Sequence, residues 1–173
     1  GRLPDIIVTL AFSYIWKGVA LIILPSPGGY VNPEFSSFLA NGGFIPPAMV
    51  IVALALLLWK LFKNTKAGLD IYAVGGNPRA AYESGLNVQR SKLLAYLVSG
   101  IFLGVGGLLL AGQISSGDPT IGASYQMNSV AAAVLGGVGF LGGVGQMKGA
   151  VMGAFIFPAL VNLLFFSGMN AFW

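Results

Sequence analysis

Residues 93–117 read LLAYLVSGIFLGVGGLLLAGQISSG, 25 positions without one charged side chain. A helix needs about 20 apolar residues to cross a hydrocarbon core of about 30 Å, so this run alone is long enough to span. It is not isolated. Residues 35–59 and 149–173 are charge-free over 25 positions each, and 119–147 over 29. The 173 residues include only nine basic and five acidic ones, 8% charged, with a mean hydropathy of +0.83. Soluble domains carry about a quarter charged residues. The composition excludes a soluble globular domain and a disordered chain, and predicts an integral membrane protein. Its 26 Gly and 9 Pro fit that class, because helix-breaking residues are better tolerated in membrane bundles.

Working outward from residue 93, apolar density and turn signals mark five spans, at about 5–24, 44–62, 93–113, 126–143 and 149–168. The predicted fold is all-α and polytopic, a single transmembrane domain. Pro25–Ser26–Pro27–Gly28–Gly29 closes the first span, and residues 25–43 read as a polar loop with Glu34 as its only charge. Alternating the spans puts Arg2, the 63–92 loop and Lys148 on one face. Eight of the nine basic residues gather there, and the ninth, Lys17, lies inside a span. Loops 25–43 and 114–125 hold no Lys or Arg. The positive-inside rule assigns the 63–92 face to the cytoplasm. Were 126–143 a re-entrant pair, Lys148 would sit at membrane depth, which favours a full crossing. Cysteine and histidine are absent, which removes disulfides, Cys-based metal sites and the usual general base. The chain reads as an internal piece of a longer protein, without a recognisable targeting signal.

Three features invite a functional reading. Inside the 63–92 loop, Asn77–Pro78–Arg79–Ala80–Ala81–Tyr82–Glu83–Ser84–Gly85 carries an N-cap, a first-turn proline and a terminal glycine. The pattern predicts a helix over 78–84, isolated in the loop, with Gly75–Gly76 and Asn87 allowing bends at its ends. A helix so short needs support. It either packs on its own bundle or docks into a groove on a cytoplasmic partner, where Arg79, Ala80, Ala81, Tyr82 and Glu83 are the candidate contacts. The second feature is the fourth span, which holds Gly136, Gly137, Gly139, Gly142, Gly143 and Gly145 within ten residues. Each glycine costs roughly 1 kcal/mol relative to Ala in a helix, so the segment reads as a broken helix lining a pathway or as a hairpin corner. It lacks the Gly-Lys-Ser/Thr ending of a phosphate loop.

The third feature is the set of polar residues inside spans. Lys17 either snorkels or marks a site. Asn162, Gln113, Ser115 and Ser116 suit a polar solute or interhelical hydrogen bonds equally. The glycine spacings Gly100/Gly104, Gly139/Gly143 and Gly145/Gly149/Gly153 favour close helix approach. Catalysis has little support, since Asp5, Glu34, Asp70, Glu83 and Asp118 lie on different loops and faces.

The combination of Tyr72–Ala73–Val74–Gly75–Gly76–Asn77–Pro78, Ala81 and Ser84–Gly85 with Ala131–Ala132–Ala133–Val134–Leu135–Gly136–Gly137 resembles a known family. These motifs are similar to those of permease subunits of bacterial ATP-binding-cassette sugar importers, the ribose/xylose/galactose branch that also includes the autoinducer importer. The resemblance runs from about Leu3–Pro4 through Val8–Thr9–Leu10 and Lys17–Gly18 to Asn162. It implies a permease of about ten helices, of which this chain is the C-terminal half without the last helix. It implies that Asn77, Pro78, Arg79, Ala81, Tyr82, Glu83, Ser84 and Gly85 form a coupling helix. Its partners would be a cytoplasmic ATPase subunit, a second permease and a periplasmic sugar-binding protein. The chain would bind no cofactor and do no chemistry, ATP being held by the partner, and would sit in the bacterial inner membrane. Lys17, Asn128, Gly136, Gly137, Gly142, Gly143 and Asn162 are the expected translocation-pathway residues. The chain departs from the family pattern at Val138–Gly139, Val144–Gly145, Lys148 and Gln126–Met127–Asn128. The other readings are a secondary transporter or channel-like pore with no ATPase, and a membrane anchor.

Overall fold

The computed structural model describes residues 5–40, 47–139 and 142–168. Arg2, Leu3–Pro4, the start of the predicted second span, Phe140 and Leu141 lie outside them. Among the described residues eight helices follow in order: α1 (Asp5–Ile23), α2 (Pro33–Ala40), α3 (Pro47–Lys63), α4 (Lys66–Gly76), α5 (Pro78–Glu83), α6 (Val88–Ile114), α7 (Gly122–Leu135) and α8 (Met147–Phe166). Among the described residues there is no strand, only an isolated bridge between Gly28 and Gly117. α6 and α8, with 27 and 20 residues, are long and apolar enough to cross a membrane. α8 continues through Pro158.

The helices gather in two compact units, one from the described parts of residues 1–48 and 106–125, the other from those of 49–105 and 126–173. In the first, α1 stops at the proline-glycine breaker. Gly28 and Gly117 then exchange N–H to carbonyl bonds of 2.9 and 2.8 Å. The predicted loop 25–43 contains a helix, α2, because Asn32 Oδ1 accepts from the Glu34 amide at 2.9 Å and Pro33 follows at the first helical position. Glu34 sits in the first turn, where a negative charge suits the helix dipole. A Cβ built on Gly112 would strike Leu39 and come within 2.6 Å of Phe35, so this end of α6 lies close against α2.

In the second unit the 63–92 segment differs from its expectation. The short helix is not isolated, because α4 occupies 66–76 directly before it. Thr65 caps α4 by accepting from the Gly68 amide at 3.3 Å, and donates its hydroxyl to the Phe62 carbonyl at 2.6 Å. Gly75 and Gly76 belong to the last turn of α4, so the bend falls at Asn77. Trp59 anchors an aromatic group, with ring centroids 5.8 Å from Phe62, 6.4 Å from Tyr72 and 6.2 Å from Phe102.

The predicted fourth span also differs. α7 ends at Leu135, and the glycines beyond it are not helical. The Val138 amide bonds the Ala133 carbonyl at 3.0 Å and the Gly137 amide bonds Val134 at 2.9 Å, with Gly137 at φ +80°. This paired closure is a Schellman turn, and it ends the helix. Below it, a Cβ on Gly153 would strike the Ala132 carbonyl, and Cβ atoms on Gly136 and Gly149 would each strike the other's carbonyl. α7 and α8 therefore meet backbone to backbone, as small residues allow. Cβ atoms on Gly100 and Gly104 would meet nothing within 4 Å. The described core is small, with Val74, Ala81 and Ala132 as its buried apolar residues, and large apolar side chains such as Ile22 and Phe166 stand exposed.

Candidate functional site

Asn77 is the joint on which the candidate docking element turns. Its amide closes α4 by donating to the Ala73 carbonyl at 3.1 Å. Its side-chain Oδ1 opens α5 by accepting from the Arg79 and Ala80 amides, both at 3.1 Å. Asn thus satisfies the end of one helix and the start of the next with no residue between them. At the far end the Gly85 amide bonds Tyr82 and the Leu86 amide bonds Ala81, both at 3.0 Å, with Gly85 at φ +82°. Ser84 Oγ adds a bond to the Ala80 carbonyl at 2.9 Å. Asn87 then caps α6, its Oδ1 accepting from Arg90 at 3.0 Å.

These caps explain how six residues hold a helix that would be marginal alone in water. They also sort the predicted contacts. Ala81 is 5% exposed and seats α5. It belongs to the packing of the element, so the candidate contact set narrows to the outward residues. Tyr82 is 74% exposed. Arg79 and Glu83 side chains are 90% and 66% exposed and pair through Nε and Oε1 at 3.3 Å. The outward face therefore offers an aromatic ring, a guanidinium and a carboxylate. An ion pair this exposed adds little stability, which leaves both charges available to a partner.

Between α7 and α8 the described residues of the glycine-rich segment pair with one another. The Gly139 amide donates to the Val144 carbonyl at 2.8 Å and the Gly142 amide to the Gly139 carbonyl at 3.0 Å. Gly142, Gly143 and Gly145 have positive φ angles of 83°, 76° and 134°. Gly143 presses on the end of α4: a Cβ there would strike the Gly75 carbonyl oxygen. An apolar cleft of about 460 Å³ lies beside the loop, lined by Trp59, Tyr72, Phe102, Gly142 and Gly143 among others. Trp59 Nε1 is buried there without an acceptor among the described residues. A second cleft of about 590 Å³ is lined by Lys63, Tyr72, Gly136, Gly137 and Gly143. Lys63 Nζ sits 4.9 Å from the centroid of the Tyr72 ring.

Of the predicted pathway residues, Gly136, Gly137, Gly142 and Gly143 come together around this loop. Asn128 on α7 and Asn162 on α8 are exposed and line neither cleft. Lys17 is half-buried on α1, in the first unit. Sequence reasoning missed α4 and the Trp59–Tyr72–Phe102 group. Thr65 before an apolar stretch was the available signal for the helix. Nothing local pointed to the ring cluster, whose members are far apart in the chain.

The family described as "Branched-chain amino acid transport system / permease component" matches residues 4–172. The galactose/methyl galactoside import permease protein MglC of Haemophilus influenzae is 41% identical over 154 residues, covering 86% of this chain and 46% of the relative. The ribose import permease protein RbsC of Bacillus subtilis is 35% identical over 179 residues, covering 100% of this chain and 55% of the relative. The xylose transport system permease protein XylH of Escherichia coli is 40% identical over 129 residues, covering 73% of this chain and 33% of the relative. This chain spans about half the length of the curated relatives it matches, or less. No solved structure matches it.

Proposed function

Because the chain belongs to the branched-chain amino acid transport system / permease component family, we propose that it is the membrane-spanning part of an ATP-driven importer. It carries a monosaccharide or similar small polar solute into the bacterial cytoplasm by alternating access. The family description names branched-chain amino acids, whereas the relatives are named for galactose, ribose and xylose; the sugar reading follows the relatives, at 35–41% identity. In this reading the chain contributes about five spans to a permease of about ten helices, multi-pass in the inner membrane. It pairs with a second permease, receives solute from a periplasmic binding protein, and leaves ATP hydrolysis to a separate ATPase subunit.

The observation that carries the proposal is α5. A six-residue helix capped at both ends, seated by a buried Ala81 and showing Tyr82, Arg79 and Glu83 outward, is built to hold its shape against a partner. A pore or secondary transporter with no ATPase has no use for such an element, and that reading is not favoured. The test is co-purification of the full-length permease with a candidate cassette ATPase. Arg79→Glu with Tyr82→Ala removes two outward contacts without touching the caps. We expect ATPase association to fall about tenfold, in the range of an interface hot spot. Undiminished association would remove α5 from the docking role. Uptake of galactose, ribose, xylose and leucine into proteoliposomes then separates the sugar from the amino-acid reading.

A further inference from the structure

We infer that the loop between α7 and α8 receives the movement of α5 through one backbone contact, and that Gly75 and Gly143 are the positioning residues of this relay. The inference rests on the importer reading and deepens it. Asn77 binds α5 to the last turn of α4 from both sides, through the Ala73 carbonyl and the Arg79 and Ala80 amides. A tilt of α5 under a moving partner is therefore passed to residues 73–77. Two residues before Asn77, that turn meets the loop. A Cβ on Gly75 would lie 3.4 Å from the Gly143 Cα, and one on Gly143 would strike the Gly75 carbonyl and lie 3.0 Å from the Gly76 Cα.

Main chain touches main chain at this point. Close-packed atoms transmit displacement, whereas a long side chain would absorb it by changing rotamer. The described residues on the receiving side are tied to one another: the Gly139 amide bonds the Val144 carbonyl, the Gly142 amide bonds the Gly139 carbonyl, and a Cβ on Gly145 would come within 2.9 Å of the Val138 Cα. The loop's ends lie where Gly136 of the α7 terminus meets Gly149 of α8. A push at Gly143 thus reaches the junction of both helices. The competing route is α6, which follows α5 after only Ser84–Asn87. If α6 alone carries the movement, crowding Gly75 changes nothing.

The experiment uses the full-length permease with its ATPase and binding protein in proteoliposomes. It reads solute imported per ATP hydrolysed, with galactose, ribose or xylose, whichever is transported. Gly75→Val sets a Cβ in van der Waals contact with the Gly143 Cα and adds two methyls beyond it, whereas Gly76→Val places the same side chain one residue on, where a Cβ meets nothing within 4 Å. Gly143→Ala is the complementary variant. Its control is Gly168→Ala, which carries the same left-handed strain, φ +75°, in open space. Gly75→Val and Gly143→Ala should lower import per ATP roughly fivefold or more, the lower end of ordinary coupling between sites, with ATPase co-purification unchanged. The two controls should stay within about twofold. An unchanged ratio in Gly75→Val, or an equal fall in Gly76→Val, overturns the relay. Should Gly143→Ala not assemble, the Gly75/Gly76 pair decides alone. Loss of ATPase association in the unmodified protein is a separate result, and would overturn the importer reading itself.

Discussion

Asn77 concentrates in one residue what most helix junctions spread over several. Replacing it by Ala removes an acceptor shared by two amides while keeping its own N–H bond to Ala73. Loss of such a cap costs about 1 kcal/mol, so amide exchange at Arg79 and Ala80 should quicken about fivefold, with α6 amides unaffected. Asn77→Asp, which retains the acceptor, should restore protection. Gly85 is the second residue on which the junction depends, because its left-handed backbone penalises a Cβ by roughly 1–2 kcal/mol. Both were legible in the sequence, since Asn-Pro and Ser-Gly are local punctuation that needs no tertiary partner. The inward turn of Ala81 was not, because a six-residue helix has too few positions to show a periodic face. Asp118 adds a pH-dependent contact. Thr120 donates its hydroxyl and its amide to Asp118 Oδ1, each at 2.7 Å. These bonds, the hydroxyl's first, hold the carboxyl below its ordinary value of 3.8. A depressed value means that the folded loop prefers the carboxylate. The contact contributes at pH values above 3.8 and is lost as pH falls through the lower folded value. Thr120→Val should move the Asp118 carboxyl titration, followed by NMR, upward towards 3.8; no movement would remove the hydroxyl as its main cause.

Between elements, the glycines divide into those that touch and those that do not. Gly153 faces the Ala132 carbonyl, whereas a Cβ on Gly100 would meet nothing within 4 Å. The same substitution should therefore have opposite signs. Gly153→Ala forces α7 and α8 apart and should destabilise the purified permease by about 1–3 kcal/mol. Gly100→Ala should leave the melting temperature unchanged or raise it, since Ala is preferred in a helix by up to about 1 kcal/mol. A fall with Gly100→Ala as well would show another chain or segment lying on that face of α6. The sequence marked both positions alike, because small-residue spacing reveals that a helix can be approached closely and not whether it is. For a related reason α2 and α4 went unread. Asn32–Pro33–Glu34 follows the same starting pattern as Asn77–Pro78, but the segment after it is short and its apolar residues are interrupted by Ser36–Ser37. Thr65–Lys66 begins α4 one turn past the basic end of α3, where clustered charge suggests a loop. Gly75–Gly76 suggested a break, yet both glycines complete a helical turn, because Asn77 supplies the stop that they appear to signal.

For the molecule as a whole, the depth that α7 can reach decides whether it crosses. Fourteen residues rise about 21 Å, against a hydrocarbon core of about 30 Å. The loop that follows can supply the remaining depth only if its backbone groups are paired, because hydrocarbon offers them no partner. Several of them are: Val138 bonds Ala133, Gly137 bonds Val134 and Gly139 bonds Val144. A helix extended by a self-bonded loop is thus a workable crossing, and it leaves Lys148 on the same side as the 63–92 segment. A re-entrant α7 would keep Lys148 from reaching that side. Since the chain has no cysteine, one introduced at a time is the only thiol this chain offers to a membrane-impermeant reagent. Ser84 and Thr120 are exposed and flank α6, whose 27 residues suffice to separate them across a bilayer. Ser84→Cys should be protected from outside reagent in intact cells, and Thr120→Cys should react. Lys148→Cys decides α7. Protection like that of Ser84→Cys places the glycine loop within a true crossing, near the face that α5 shares. Reaction like that of Thr120→Cys makes α7 re-entrant, moves the loop to the opposite face, and separates Gly143 from the end of α4 that it touches here, so the same label also tests the relay.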